Sequence, residues 1–183
     1  MDILTSVFRE IEAAIAVVDK GAVTNFTKIL QAQQGRLFVV GEGRSGLMAK
    51  AFAMRLMHLG ANVYVIGETI TPAMASGDTI IAISGSGTTQ SIVDKCTRAK
   101  ALGSHVMCVT TNPDSPLGKV CSTVLPIPAA TKYRHSGEQA SIQPLSSLFD
   151  QATHIVLDAI CLELAQQRSQ TNESTMGRHS NLE

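Results

Sequence analysis

Two stretches of this chain repeat one pattern, and that repeat constrains the fold more than any other feature of the sequence. An apolar run ends at Val40 before a glycine-rich loop and a helical segment, and a second apolar run ends at Ile83 before a similar loop. The offset is 43 residues, and the pairs Leu59-Gly60 and Leu102-Gly103, which close the two helical segments, have the same offset. Parallel strands need long crossovers that are usually helical, so the repeat predicts a parallel sheet covered by helices.

The hydrophobic pattern extends this prediction to the whole chain. Apolar residues at spacings of three and four predict helices, and short apolar runs between turn residues predict strands. The predicted strands are residues 36–40, 62–66, 79–83, 105–109 and 122–127, and the predicted helices include residues 3–18, 22–34, 47–59 and 147–167. We therefore expect an α/β fold, a three-layer α-β-α sandwich with a five-stranded parallel sheet, flavodoxin-like or Rossmann-like, and an N-terminal pair of helices.

Length and composition are typical of one globular domain. The chain has 183 residues, of which 44% are hydrophobic. Within the domain we expect N-terminal helices over residues 1–35, an α/β core over residues 36–167 and a polar tail over residues 168–183. Only 16% of the residues are charged, which favours an oligomer that hides part of the apolar surface.

Charge and cysteine content argue against several classes of function. Basic and acidic residues number 15 each and form no basic block, so the chain lacks the charge expected of a nucleic-acid-binding protein. No apolar run approaches the ~18 residues that span a bilayer. The four cysteines have no CxxC spacing, and we expect no secretory leader, which together predict free thiols in a reducing cytoplasm.

The second glycine loop is rich in hydroxyl groups. After Ile83 it reads Ser84-Gly-Ser-Gly-Thr-Thr89, directly before a predicted helix. Gly85 and Gly87 are expected to adopt positive φ and to allow close approach of a ligand, and the N–H groups at a helix start attract anions. An ordinary capped turn needs only one hydroxyl, so the four hydroxyls favour a phosphate-binding loop.

The first glycine loop, Gly41-Glu-Gly-Arg-Ser-Gly46, has the spacing of the dinucleotide-binding fingerprint, with Glu68 as a candidate ribose ligand. A dehydrogenase usually needs a separate substrate domain, and an isolated fingerprint is a weak signal. Loops at the carboxyl ends of neighbouring parallel strands line one crevice. We therefore expect both glycine loops to face the same small molecule.

Several ionisable residues outside the loops are ambiguous. Arg55 and His58 share one face of an otherwise apolar helix, where they need partners or a polar cavity. A lone histidine in such a helix is more often a core residue than a catalytic one. The sequence indicates no partner for the histidines at positions 105, 135 and 154.

Two further residues have a structural and a functional interpretation. Asp150 lies in Ser147-x-x-Asp150, a pattern typical of a helix capping box, which by itself would account for the carboxylate. His179 lies in the polar tail, where disorder is the simple alternative. Residues 128–145 are expected to form a long irregular loop, and such loops are often functional.

Taken together, five segments of the chain resemble a known family. They are Gly41–Gly46, Ala53–Gly60, Val65–Pro72, Ile83–Thr88 and Arg178–Glu183. They resemble the sugar isomerase (SIS) domain and, within it, the 6-phospho-3-hexuloisomerases of formaldehyde fixation through the ribulose monophosphate pathway. The resemblance covers essentially the full chain, and its motifs are specific in combination although each is weak alone.

This resemblance implies a function. The family interconverts D-arabino-hex-3-ulose 6-phosphate and D-fructose 6-phosphate without a cofactor or metal, usually as a homotetramer with sites near subunit interfaces. The reaction moves a carbonyl between neighbouring carbons through a cis-enediol, for which one carboxylate and one imidazole suffice. The expected partner is a small sugar phosphate, with no nucleic acid or membrane. The alternatives are another phosphosugar aldose–ketose isomerase, a non-catalytic phosphosugar-binding protein and a dinucleotide-binding protein.

The resemblance also suggests catalytic residues. His58 and Asp150 are the expected acid/base pair, with His179 near a site that a neighbouring subunit completes. The family more often has Glu where this chain has Asp150, one methylene shorter, so Glu68 is kept as the alternative base. The residues expected to bind the substrate are Gly43, Arg44, Ser45, Arg55, Ser84, Gly85, Ser86, Gly87, Thr88 and Thr89.

Overall fold

A computed structural model of the chain describes residues 2–135 and 137–182. In these ranges the strands are β1 (Leu37–Gly41), β2 (Val63–Val65), β3 (Thr79–Ile83), β4 (His105–Thr110) and β5 (Thr123–Pro126). The helices are α1 (Ile3–Ala16), α2 (Lys20–Ala32), α3 (Gly43–His58), α4 (Gln90–Ala101), α5 (Pro116–Val120), α6 (Ser147–Gln167) and α7 (Asn172–Met176). No helix in these ranges is both long and apolar enough to cross a bilayer.

The strands form a parallel sheet in the order β2-β1-β3-β4-β5. In the central pair, Gly41 of β1 is the register partner of Ile83 of β3, so these two strands end side by side. From β1 the chain crosses to β2 at one side, and from β3 it crosses to β4 at the other. A crevice therefore opens between the carboxyl ends of β1 and β3. The predicted parallel sheet is confirmed.

The helices form a layer on each face of the sheet. Helices α1, α2, α3 and α6 share one apolar core with the sheet, and α4 and α5 share another. Successive side chains of a strand point to opposite faces, so Ile81 and Ile83 of β3 enter the first core and Ile80 and Ala82 enter the second. The three-layer sandwich is confirmed, and the N-terminal helices belong to its larger core.

Element boundaries match the prediction best where the apolar pattern is strongest. The strand 79–83 and the helix 147–167 agree with β3 and α6. Helix α3 starts at Gly43 instead of residue 47, because the first glycine loop itself forms the first turn of the helix. Two short helices, α5 and α7, were missed because each is a single polar or glycine-containing turn that starts at a capping residue, Ser115 or Thr171.

The polar tail packs against the end of α3, so the disordered alternative is wrong for its described part. Arg168 Nη1 and Gln170 Nε2 donate to the Leu59 carbonyl at 3.3 and 3.0 Å. Arg178 Nη1 donates to the His58 carbonyl at 3.3 Å. The last carbonyls of a helix have no partner within the helix, so these side chains satisfy acceptors that would otherwise need water.

An ion pair joins the amino ends of β1 and β3. The buried Asp78 carboxylate accepts from Arg36 Nη2 at 2.7 Å and Nε at 3.1 Å, and from the Ala75 N–H at 2.8 Å. Burial alone would raise the pKa of Asp78. The hydrogen bonds and the charge of Arg36 outweigh burial and hold the pKa below its ordinary value.

We expect Asp78→Asn to lower the urea midpoint of unfolding at neutral pH, because it removes the charge that pairs with Arg36. A carboxylate with a lowered pKa stabilises the fold above its unfolded pKa, and this stabilisation is lost as the pH falls through the folded pKa. The difference between wild type and variant should therefore shrink at about pH 3. A difference that is the same at both pH values would contradict this account.

Candidate active site

The two glycine loops meet at the crevice between β1 and β3. A cavity of about 220 Å³ opens there. It is lined by both loops, by the first turn of α6 and by the segment that precedes α6. The lining residues are Glu42, Arg44, Ser45, Ile83, Ser84, Gly85, Ser86, Thr89, Lys132, Leu145, Ser146 and Asp150. The structure therefore brings both loops to one cavity. This follows from the strand order, because the connections from β1 and β3 leave toward opposite sides of the sheet and open a crevice between the two strand ends.

The second loop presents its hydroxyl groups at the start of α4. Thr89 is the N-cap residue of α4, but its side chain makes no capping hydrogen bond, and its Oγ1 lies 3.5 Å from Ser84 Oγ. Ser86 Oγ accepts from Thr88 Oγ1 at 2.9 Å. A simple capped turn would direct the N-cap hydroxyl to the helix backbone. This arrangement instead leaves the first N–H groups of α4 without side-chain caps, as in anion-binding helix starts.

Gly85 and Gly87 meet different steric requirements. Gly87 has a φ of 63°, as predicted, and a Cβ there would overlap the Ser115 hydroxyl. The predicted positive φ at Gly85 is wrong, because Gly85 lies outside the left-handed region. A Cβ at Gly85 would lie 3.0 Å from the Phe149 ring, so this glycine permits close packing of the loop on α6.

Asp150 is the buried carboxylate of the cavity. It lies in the first turn of α6 and is only 2% exposed. Ser45 Oγ donates to its Oδ1 at 3.1 Å, and Arg44 Nε donates to its Oδ2 at 3.0 Å. Gly43, which starts α3 with a φ of 57°, precedes both donors. Burial raises the pKa of Asp150, and the bonds from Ser45 and Arg44 oppose it only in part. A carboxylate in this state is suited to accept a proton from carbon.

The capping-box interpretation of Asp150 is wrong. Helix α6 has Ser146 as its N-cap residue, and the side chain of Ser146 makes no capping hydrogen bond. In a capping box the carboxylate would accept from the backbone N–H of the N-cap residue. The Asp150 carboxylate instead accepts hydrogen bonds from the side chains of Arg44 and Ser45, in the first turn of α3.

His58 does not reach this cavity within one chain. Ser45 and His58 lie at opposite ends of the 16-residue helix α3, about 20 Å apart at about 1.5 Å per residue. The ring of His58, which is 5% exposed, stacks on the ring of His179 with centroids 5.2 Å apart. The structure thus brings the two predicted histidines together and separates both from Asp150.

Arg55 and Glu68 also lie outside the cavity lining. Arg55 is near the end of α3, and its Nε is 3.6 Å from Asp158 Oδ1. Glu68 follows β2, and its Oε1 is 2.7 Å from Lys50 Nζ, with both side chains about half exposed. An exposed carboxylate that is paired with lysine is a weaker candidate base than the buried Asp150.

Besides Ile83 at the end of β3, four lining residues were not predicted as site residues, namely Glu42, Lys132, Leu145 and Ser146. Glu42 lies inside the first glycine motif, where its Oε1 accepts from Ser91 Oγ and is 3.6 Å from Lys95 Nζ. The other three come from the segment before α6. The sequence predicted residues 128–145 as a long irregular loop, a type that is often functional, but it did not distinguish the residues that line the cavity.

Fold and cavity together define a class of protein: a parallel α/β domain with a hydroxyl-rich glycine loop and a buried carboxylate at the carboxyl ends of β1 and β3. Comparison with protein families makes this specific, because residues 30–155 match the model of the SIS domain. The match covers more than half of the chain. The chain belongs to the SIS domain family.

Individual relatives point to one branch of this family. The 3-hexulose-6-phosphate isomerase of Bacillus subtilis (strain 168) is 42% identical over 155 residues, which cover 85% of this chain and 83% of the relative. The 3-hexulose-6-phosphate isomerase of Mycobacterium gastri is 42% identical over 180 residues, with coverage of 98% and 89%. The fold is also similar to the crystal structure of a protein from Methanococcus jannaschii, with a TM-score of 0.84 at 27% identity over 100% of both chains. That structure infers for its protein a molecular function of 3-hexulose-6-phosphate isomerase. The resemblance inferred from the motifs is confirmed.

We expect Asp150→Asn to raise the urea midpoint of unfolding at neutral pH. The pKa of Asp150 is raised in the folded state. Such a group contributes its full stabilisation below its unfolded pKa and loses it as the pH rises through its folded pKa. Ionised Asp150 therefore destabilises the fold at pH 7. Asparagine carries no charge, so the two proteins should converge as the pH falls toward about 4. A variant less stable than wild type by about 1 kcal/mol at neutral pH would instead show that the hydrogen bonds from Ser45 and Arg44 to the ionised carboxylate outweigh the cost of burying its charge.

Proposed function

We propose that this protein is a cofactor-free phosphosugar isomerase that interconverts D-arabino-hex-3-ulose 6-phosphate and D-fructose 6-phosphate. The observation that carries the proposal is the buried Asp150 carboxylate beside the hydroxyl-rich loop of residues 84–89, in one cavity. The relatives named 3-hexulose-6-phosphate isomerase support this substrate and this reaction.

The hydroxyl-rich loop holds the phosphate group in this proposal. Ser84, Ser86 and Thr89 line the cavity. Thr89 is also the N-cap residue of α4, so the N–H groups at the start of that helix, which have no side-chain cap, follow directly. Phosphate lies far from the reacting carbons, so it supplies binding energy that does not change during the reaction and that orients those carbons.

Asp150 is the base that moves the carbon-bound proton. It takes the C2 proton of the hex-3-ulose, the C2–H electron pair forms the C2–C3 double bond, and the C3 oxygen gains a proton to give the cis-enediol. Return of the proton to C3, with loss of the proton from the C2 hydroxyl, yields the 2-ketose. Ser45 and Arg44 hold the carboxylate in one orientation, which compensates for a side chain one methylene shorter than Glu.

A second copy of the chain supplies the imidazole. Proton transfer needs hydrogen-bond contact, and His58 lies about 20 Å along α3 from its own cavity. We assign His58, with its stacked neighbour His179, to the cavity of another subunit in a homotetramer. Exposed apolar side chains on the same layer of helices support such an assembly, among them Met54, Met57, Ile155 and Leu162.

The proposed setting is formaldehyde fixation through the ribulose monophosphate pathway in the cytoplasm. All four cysteines are free thiols, and the residues Cys96, Cys108 and Cys161 are buried. Free buried thiols are usual in a reducing compartment.

We expect Asp150→Asn to lower kcat by about 10²–10⁴-fold with little change in KM, because the amide cannot accept the carbon-bound proton. A coupled assay that supplies hexulose 6-phosphate and detects fructose 6-phosphate measures this, and exchange of the C2 hydrogen with solvent should be lost in parallel. Glu68→Gln is the matched control and should keep near-wild-type turnover. The reverse result, with Glu68→Gln inactive and Asp150→Asn active, would assign the base to Glu68.

The same assay tests the alternative without catalysis. A wild-type chain that binds fructose 6-phosphate but forms no product from either ketose would be a non-catalytic phosphosugar-binding protein.

We expect subunit mixing to restore activity if the site is shared. Asp150→Asn and His58→Gln chains should each be nearly inactive, but a mixed assembly contains cavities with an intact Asp150 facing an intact His58. Sedimentation should show tetramers at micromolar concentration. Persistent inactivity of mixed assemblies whose composition is verified would show that His58 does not act across the interface.

A further inference from the structure

The phosphate loop has no cation of its own. Residues 84–89 are serine, glycine and threonine, whereas a phosphate ester carries about −1.5 to −2 charges at neutral pH. The dipole at the start of α4 contributes only about half a positive charge. A tightly held phosphate therefore needs a positive side chain from elsewhere in the fold.

Two cations line the cavity, Arg44 and Lys132. Arg44 Nε is 3.0 Å from Asp150 Oδ2, so its charge is already paired with the buried carboxylate. Within residues 2–135 and 137–182, Lys132 takes part in none of the ion pairs. Its Nζ lies 4.9 Å from the centroid of the Tyr133 ring, a contact that leaves the ammonium charge uncompensated.

We propose that Lys132 is a substrate-binding residue whose ammonium group pairs with the phosphate held by loop 84–89, and that Glu10 is a positioning residue for it. This inference rests on the proposed function and deepens it, because it names the cation of the phosphate subsite. Lys132 comes from the segment between β5 and α6 and lines the same cavity as Ser84, Ser86 and Thr89 of the loop. The sugar phosphate would lie between Lys132 and the loop.

Glu10 of α1 anchors this segment. Its Oε2 accepts from Ser141 Oγ at 2.7 Å and from Gln143 Nε2 at 3.1 Å, and its Oε1 accepts from the Ile142 N–H at 2.7 Å. Burial would raise the pKa of Glu10, but these hydrogen bonds and the charge of Arg134 hold it below the ordinary value. Glu10 is thus a charged acceptor that ties three consecutive residues to the helical layer.

Hydrogen bonds within the segment connect this anchor to Lys132. Arg134 Nη2 donates to the Gln143 carbonyl, and the Lys132 N–H donates to Ser146 Oγ at 3.1 Å. Leu145, which lines the cavity beside Ser146, is held at a φ of 54°, a conformation that a leucine adopts only when its surroundings impose it. Loss of the Glu10 anchor should leave the segment intact but less confined, and a mobile lysine must be ordered again when the ligand binds.

The test is direct binding of fructose 6-phosphate by titration calorimetry with the full chain, which does not require turnover. Lys132→Gln should weaken binding about 10-fold or more, because a hydrogen bond to a charged group is lost. Lys132→Arg should keep most of the affinity and its dependence on salt. Lys20→Gln on α2 removes an exposed lysine outside the cavity lining and should bind as wild type does.

Glu10→Gln keeps the side-chain shape and removes the charge, so we expect a smaller loss of affinity than for Lys132→Gln. If Glu10 acts through Lys132, the double variant should bind no more weakly than Lys132→Gln alone. In turnover assays KM should rise more than kcat falls for Lys132→Gln, for Glu10→Gln and for the double variant. Additive losses in the double variant would overturn the positioning role of Glu10.

The outcomes separate this inference from the proposed function. Suppose that urea unfolding shows wild type and Lys132→Gln to be equally well folded and that both bind fructose 6-phosphate with equal affinity. This result overturns the role of Lys132 and leaves the isomerase proposal in place. A wild-type chain that binds neither fructose 6-phosphate nor inorganic phosphate overturns both.

Discussion

The pairing of β1 with β3 is the constraint on which the rest of the molecule depends. Because Gly41 and Ile83 are register partners, both glycine loops begin at the same level of the sheet. Right-handed crossovers to opposite sides then place α3 on one face and α4 on the other, so neither helix covers the gap between the loops. The hydroxyls of the second loop and the donors to Asp150 line one cavity only because of this arrangement.

The buried carboxylate of Asp150 is only partly stabilised in its ionised form. Ser45 and Arg44 each give it one hydrogen bond, yet burial still raises its pKa. In the proposed mechanism this imbalance is useful, since a base must hold a proton as well as release one near working pH. The same imbalance destabilises the fold, an exchange of stability for function that is common in enzymes.

Helix α3 has a different role at each end. Its start supplies Ser45 and Arg44 to the cavity of its own chain, and its end carries His58 about 20 Å away, where the tail covers it through Arg178 and His179. In the proposed tetramer one rigid helix therefore links two sites. Because a helix does not stretch, the relative position of the carboxylate and the imidazole would depend on how subunits pack.

Local patterns in the sequence were enough to predict the parallel sheet, both glycine loops and the helix that carries Asp150. Apolar periodicity and glycine placement act over a few residues, so they are readable without the fold. Ser45 and Asp150 are 105 positions apart, and their contact, which excludes the capping-box interpretation, arises only from packing of α3 on α6. The position of Lys132 in the cavity lining and the stacking of His58 on His179 were likewise decided by tertiary structure alone, because each depends on how segments far apart in the sequence pack together.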